Sequence, residues 1–145
     1  MAQESPTRGF QRPVYPFFIG LGGAMLMAAL FTDYMYSSDA LIQWSNFSAW
    51  LILGGLVLAL VSAIVLAIEM LLHRTGPIRW IDFVILALAA VLSIFNEFIH
   101  TRDSWTTVVP SGITLSAIVT VLLLIAGLRG WAVTGIPSAR MGEGQ

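Results

Sequence analysis

The sequence predicts an all-α integral membrane protein, an antiparallel four-helix bundle whose N- and C-termini both lie in the cytoplasm. The 145 residues are 57% hydrophobic and 10% charged, with a mean hydropathy of +0.85, whereas a soluble domain has roughly 25% charged residues. Four apolar stretches are free of charge and suit a hydrocarbon core that takes about 20 helical residues to cross. The arginines gather on alternate connections, as expected of a chain that crosses a membrane four times.

The four charge-free stretches give the order of the elements. They are Tyr15 to Thr32, Phe47 to Ile68, Phe83 to Asn96 and Val108 to Leu128. We predict a bundle over residues 15–132, with helices at about 15–36, 46–72, 78–101 and 108–130. Short linkers at 33–46, 73–79 and 101–107 favour antiparallel neighbours. A cytoplasmic segment (1–14) precedes the bundle and a cytoplasmic tail (133–145) follows it. The first stretch is longer than the apolar part of a signal peptide, so we expect a retained helix.

The orientation follows from the seven basic residues, which are all arginine. With four spans, six share one side of the membrane: Arg8, Arg12, Arg74, Arg79, Arg129 and Arg140. Only Arg102 lies on the other side. The positive-inside rule predicts that the arginine-rich side is the cytoplasmic face of a bacterial inner membrane. Tryptophans are expected at both interfaces: Trp44, Trp50 and Trp105 at the outer one, Trp80 and Trp131 at the inner one.

The composition excludes several functions. A net charge of -1 gives no basic surface for nucleic acid, and the absence of cysteine excludes thiol catalysis and thiolate metal sites. No nucleophile with its base, phosphate-binding glycine loop or zinc-protease motif is present. We therefore expect no enzymatic activity. The expected partners are the lipid bilayer and other membrane subunits or further copies of the chain.

Small residues recur at a spacing of four, which lets helix backbones approach closely in lipid. The rows are Gly20, Ala24 and Ala28 in the first helix, Gly55, Ala59 and Ala63 in the second, and Gly112, Ser116 and Thr120 in the fourth. These rows predict close helix association.

The third helix gathers polar residues on one face. At about 100° per residue, that face holds Asp82, Ala89, Ser93, Asn96, Glu97 and His100. The opposite face holds Trp80, Val84, Leu88, Val91, Phe95 and Phe98. We therefore expect this helix to turn its polar face toward the other helices and its apolar face toward lipid.

Antiparallel threading predicts two polar clusters, one at each end of the bundle. The outer cluster combines Asp33, which shares a face with Ala29 and Gly22, with three residues of the third helix. Its members are Asp33, Asn96, Glu97 and His100. The inner cluster consists of Glu69, His73 and Asp82. The simplest role of both clusters is structural, because interhelical hydrogen bonds fix the rotation and register of helices.

Ionisable groups in membranes are also candidates for functional sites. Glu97 and His100 have the Glu-x-x-His spacing of metal ligands, and Asp33 could complete a mononuclear site. A two-iron site would need a second such pair, which the chain lacks, so we predict no metal. Haem would need two facing histidines, whereas His73 and His100 lie at opposite membrane faces, so we expect no haem.

Two further alternatives remain open at the level of sequence. A quinone could bind the outer cluster, where His100 and Glu97 lie beside Phe98 and Trp105. A proton or ion path could join Asp82 to Glu97 across about 22 Å of helix, with few polar residues to bridge the middle. These are Ser62, Ser93 and Thr120.

Three stretches of the chain resemble a bacterial family of membrane proteins, the domain of unknown function 2231. They are FIGLGGAMLMAALFTDYMY, SAWLILGGLVLALVSAIVLAIE and FNEFIHTRDSWTTVVPSGITLS. The third is the most specific, and the resemblance covers about residues 15–130. It implies a small helical membrane bundle that accompanies membrane dehydrogenases or respiratory proteins. Glu69 stands where many relatives have aspartate, and the early histidine of some relatives is absent, which argues against haem.

We therefore expect a non-catalytic, multi-pass inner-membrane protein without a cofactor. Its expected role is that of an accessory or anchoring subunit of a membrane assembly, such as a redox or respiratory one, or of a homo-oligomer. The alternative is a quinone- or metal-binding redox component that uses the outer cluster, and the third is a proton or ion conductor.

Overall fold

The computed structural model describes residues 12–101 and 108–135. Four helices follow one another in the chain: α1 (Tyr15–Asp39), α2 (Ile42–Leu71), α3 (Trp80–His100) and α4 (Ile113–Leu128), the last preceded by a short turn over Val108–Gly112. The spans Tyr15–Asp39, Ile42–Leu71, Trp80–His100 and Val109–Leu128 are each long and apolar enough to cross a membrane. The predicted all-α membrane fold with four spans is therefore confirmed.

The first connection is shorter than the sequence indicated. Only Ala40 and Leu41 separate α1 from α2, so most of the predicted linker at 33–46 is helical. At the polar end of α1 the hydroxyls of Ser37 and Ser38 donate to the carbonyl of Tyr34. Asp39 then accepts hydrogen bonds from the backbone N–H of Leu41 and the indole of Trp44, at 3.1 Å each. Both helices therefore extend past their apolar cores, and local side-chain bonds satisfy the polar groups at the turn.

The bundle has two chemically different ends. At one end α1 and α3 begin and α2 and α4 terminate, and the described arginines all lie there: Arg12, Arg74, Arg79 and Arg129. We call this the arginine end. At the opposite end, the Asp33 end, the carboxylate of Asp33 meets side chains from the three other helices. A core of Leu26, Ala29, Ile52, Ala89, Val119 and Leu123 lies between the two ends.

The third helix is oriented as the sequence predicts. Its buried residues are Asp82, Ala89, Ser93, Asn96 and His100. The large residues of the opposite face are exposed: Trp80, Val84, Leu88, Val91, Phe95 and Phe98. An exposed apolar surface of this kind is what a helix presents to lipid.

Helices α1 and α2 make their closest contact at two glycines. A Cβ atom on Gly22 would lie 3.0 Å from the carbonyl oxygen of Gly55, and one on Gly55 would lie 2.6 Å from Cγ of Leu26. This contact uses Gly22 and not the predicted row of the first helix, whose Ala24 and Ala28 are exposed. The small-residue spacing occurs on more than one face of this glycine- and alanine-rich helix, and the pattern alone did not select the packed face.

The chain after α4 folds back over the arginine end. Gly130 and Trp131 have positive φ angles of 90° and 58°, which turn the indole of Trp131 onto the helices. Cβ atoms on Gly23 and Gly127 would each lie 2.8 Å from that ring. Trp131 therefore packs against α1 and α4, where the sequence suggested an interfacial tryptophan. Trp50 and Trp80 are exposed, and Trp105 lies outside the described residues.

The segment that follows Trp131 pairs with the connection between α2 and α3. The N–H of Arg79 donates to the carbonyl of Val133 at 2.7 Å, and that of Gly135 donates to Pro77 at 2.9 Å. The phenolic oxygen of Tyr15 accepts hydrogen bonds from the N–H groups of Val133 and Thr134, at 2.9 Å each. Residues 133–135, assigned to the tail from the sequence, thus pack against the bundle.

Candidate functional site

The Asp33 carboxylate is the centre of a network that joins all four helices. Asp33 lies on α1 and has no exposed surface. Its Oδ1 accepts hydrogen bonds from the hydroxyl of Ser48 on α2 and from Nε2 of His100 on α3, the latter at 2.7 Å. Its Oδ2 accepts a hydrogen bond from the hydroxyl of Ser116 on α4. One carboxylate thereby fixes the position of three other helices.

The imidazole of His100 faces an acceptor with each ring nitrogen. Nδ1 lies 2.9 Å from the carbonyl oxygen of Asn96, which can only accept, so Nδ1 carries a proton. Nε2 faces Asp33, and the proton between them belongs either to the ring or to the carboxyl group. In both cases the Asp33 and His100 pair is neutral in total. A neutral pair with its hydrogen bonds satisfied is much less costly to bury than a lone charge.

Asn96 extends the network along α3. Its Nδ2 donates to the hydroxyl of Ser116 at 2.7 Å, so Ser116 accepts from Asn96 while it donates to Asp33. Asn96 is buried, with an exposed fraction of 2%. Its Oδ1 has no hydrogen-bond partner among the residues that the structure describes.

Three of the four residues predicted for the outer cluster are thus joined by hydrogen bonds, and Glu97 is not. Glu97 is half-buried, and its Oε2 is buried without a partner in the described part of the chain. Both nitrogens of His100 are engaged elsewhere, so the Glu-x-x-His spacing does not produce a Glu97 to His100 hydrogen bond. Arg102 and Asp103, which follow this helix, lie outside the described residues.

Two serines of the network escaped the sequence reasoning. Ser48 lies at the start of the second apolar stretch and was assigned no role, and Ser116 was noted only as a small residue of α4. Ser48 lies on the buried face of α2 and Ser116 on the buried face of α4. A lone serine opposite a predicted intramembrane aspartate is the signal that could have identified them, because a buried carboxylate requires donors.

The residues predicted for the inner cluster lie apart in three different settings. The carboxylate of Glu69 accepts the backbone N–H groups of Val14 and Tyr15, at 2.7 and 3.5 Å. It thereby satisfies N–H groups at the start of α1 that lack helical partners. His73 is exposed in the connection after α2, with a φ of 53°.

Asp82 is paired with arginines, in place of the predicted partners Glu69 and His73. Its carboxylate binds Arg129, which follows α4, and it contacts Nε of Arg79 at 2.8 Å. The helix-face pattern placed Asp82 correctly on the buried side of α3. It did not reveal Arg129, because the rotation of α4 relative to α3 is set by packing between helices.

Two of the three hydroxyls predicted to bridge the middle of the bundle bind backbone carbonyls. Ser62 donates to the carbonyl of Tyr15 at 3.0 Å and Ser93 to that of Ala89 at 2.8 Å. The Oγ1 of Thr120 is buried without a partner among the described residues. Over residues 12–101 and 108–135, these hydroxyls form no hydrogen-bonded chain from Asp82 to the Asp33 network.

An apolar crevice of about 170 Å³ lies between the helices and contains none of the Asp33 network. Ser62 is the one polar residue of its lining, and its hydroxyl is already bonded to Tyr15. Within the described ranges, no group of three or more histidine, cysteine, aspartate or glutamate side chains is placed to hold a metal ion. The crevice offers hydrocarbon contacts, and both oxygens of the Asp33 carboxylate are engaged by donors of the protein.

Four apolar helices of membrane length, closed around a buried polar network, define a small multi-pass membrane bundle. The chain belongs to the family of predicted membrane proteins DUF2231, whose model matches residues 11–135. The family membership inferred from the residues is thereby confirmed. No curated protein matches the chain, and no solved structure matches it either.

Proposed function

We propose that this protein is a non-catalytic subunit of a bacterial inner membrane that anchors or accompanies other membrane subunits, or associates with further copies of itself. The observation that supports it best is the closure of the Asp33 network. Each oxygen of this carboxylate is engaged by another helix, so the most buried ionisable group has a sufficient structural role. A carboxylate whose oxygens are both hydrogen-bonded inside the protein is poorly placed to bind a substrate.

The apolar outside of the helices is a surface that remains available for association with other helices. Ala24 and Ala28 of α1 are exposed there at a spacing of four, and small residues at this spacing permit close approach by another helix in lipid. The excess of arginine at one end supports a cytoplasmic position for that end and for both termini.

The other two functions have less support. Glu97 Oε2 and Asn96 Oδ1 are buried acceptors without partners among the described residues, and a quinol hydroxyl is a group that could donate to them. The extractable quinone content and visible spectrum of the pure protein would test this. Ion conduction has less support still, because the serines in the middle of the bundle bind backbone carbonyls.

The subunit proposal is tested by size and composition after gentle solubilisation. We expect the protein to elute as a complex with partner chains or with itself. Ala24→Leu and Ala28→Leu should shift it toward the monomer, because the larger side chains block close helix approach. Ala67→Leu, which changes an exposed alanine of α2, is the matched control and should leave the complex intact. A lone monomer for the unaltered chain would overturn the proposal.

A further inference from the structure

The arginine end contains a second polar site that the Asp33 network does not involve. A recess of about 280 Å³ is lined by Arg12, Pro13, Val14, Glu69 and Arg74. Arg12 precedes α1 and Arg74 follows α2. The recess therefore lies where the helices leave the hydrocarbon, at the depth of lipid headgroups.

The two arginines of the recess differ from the other two at this end. Arg79 and Arg129 share the carboxylate of Asp82. Across residues 12–101 and 108–135, neither Arg12 nor Arg74 forms an ion pair with a carboxylate. Both residues are exposed, so their guanidinium groups can reach a ligand without the loss of an ion pair to any carboxylate that the structure describes.

Glu69 lines the recess, and its role there is to hold the backbone at the start of α1. Its carboxylate accepts the N–H groups of Val14 and Tyr15, which holds the chain beside Arg12 in place at the start of α1. Two guanidinium groups and one carboxylate leave a formal charge of one positive unit in the recess. A phosphodiester carries one negative charge and would make the site neutral.

We propose that the recess binds the headgroup phosphate of an anionic phospholipid from the surrounding bilayer, with Arg12 and Arg74 as its ligands. Arginine binds phosphate through planar pairs of N–H donors, and a site at the membrane interface meets lipid phosphates at high local concentration. The lipid chains would then extend along the exposed apolar sides of α1 and α2. The protein would thereby carry bound anionic lipid at the junction of its first two helices.

The test is native mass spectrometry of the full chain in detergent, titrated with short-chain phosphatidylglycerol or phosphatidylcholine. We expect phosphatidylglycerol to bind more tightly. Each of Arg12→Gln and Arg74→Gln should weaken it about fivefold, and the double variant about 30-fold, because one arginine near an anionic surface contributes about a fivefold change in affinity. Arg79→Gln removes an arginine from the same end but outside the recess, and it should retain the affinity of the unaltered chain.

Three outcomes would overturn the proposal. Equal binding of the two lipids, or a loss in Arg79→Gln as large as in Arg12→Gln, would show that the recess is not a specific site. Displacement of phosphatidylglycerol by inorganic phosphate at constant ionic strength would show a site for free phosphate. Because both arginines are exposed, the variants should keep the thermal midpoint of the unaltered protein, and this is measured on the same samples.

Discussion

The two ends of the bundle each bury an aspartate, but they satisfy it in different ways. Asp33 is bonded to Ser48, Ser116 and His100, whose side chain has no exposed surface. Asp82 is bonded to Arg79 and Arg129, whose side chains are 39% and 40% exposed. The first carboxylate is closed inside the protein, and the second is linked to water through its partners.

This difference indicates how much each aspartate contributes to the stability of the fold. At the Asp33 end, donors from three helices point at one carboxylate, and its removal leaves Nε2 of His100 and the hydroxyl of Ser116 buried without an acceptor. The hydroxyl of Ser48 retains the carbonyl of Ala29 at 3.1 Å. At the arginine end, a guanidinium that loses its carboxylate can turn toward water or headgroups. Equal burial of the two aspartates therefore does not mean equal contributions to stability, since the cost depends on what the partners can do afterwards.

The largest effect is expected for Asp33→Ala. The substitution leaves Nε2 of His100 and the hydroxyl of Ser116 buried without an acceptor, and the loss of one member of a buried pair costs about 3 to 5 kcal/mol. We expect a loss of that size in the free energy of unfolding, measured by denaturant titration in mixed micelles with helicity as the signal. Without this carboxylate, α1 loses the hydrogen bonds that fix its position relative to α2, α3 and α4.

Asp39→Ala is the matched control for that experiment. Asp39 lies at the same end of α1 but is exposed, and its bonds go to Leu41 and Trp44. Its loss should cost about 0.5 to 1 kcal/mol, as expected of a local cap. Equal losses in the two variants would refute a special role for the closed network.

A smaller effect is expected where the glycines hold α1 against α2. In Gly55→Ala the new Cβ would lie 2.6 Å from Cγ of Leu26 and 3.0 Å from the carbonyl of Gly22. Backbone cannot yield there without separating the helices, so we expect a loss of about 1 to 3 kcal/mol. Gly54→Ala is the neighbouring control, because its Cβ would meet the flexible end of Met25, and it should be milder. The same unfolding measurement ranks the two, and a reversed order would contradict the close contact.

Much of the Asp33 end could be predicted from the sequence. The period of α3 put Asn96 and His100 on one buried face, and antiparallel threading brought Asp33 to them. Both inferences depend only on helix geometry and on the order of the spans. Ser48 and Ser116 were missed because a serine in an apolar helix has no periodic signature of its own.

The arginine end was predicted less well, for physical reasons. Glu69 and Asp82 were assigned to one cluster because both lie near the same membrane face. Their actual partners depend on how each helix is rotated, which brings Arg129 at the end of α4 to Asp82. They depend also on the return of the chain after Gly130, which pairs Val133 with the backbone of Arg79. Tertiary packing determines both the rotation of the helices and the return of the chain. Neither of them produces a periodic pattern in the sequence.

The smallest loss in the free energy of unfolding is expected for Asp82→Ala. This variant is also the most direct test of the difference between the two ends of the bundle. The carboxylate is as buried as that of Asp33, but its loss leaves two arginines that are already about two-fifths exposed. Ion pairs that involve such exposed partners contribute about 0 to 1 kcal/mol, so we expect a loss within that range in the free energy of unfolding. Arg79→Ala, which leaves Arg129 on Asp82, should cost no more. If Asp82→Ala destabilises the protein as much as Asp33→Ala, exposure of the partners does not determine the cost. The arginine end would then be a second closed network, with its cations held as tightly as His100.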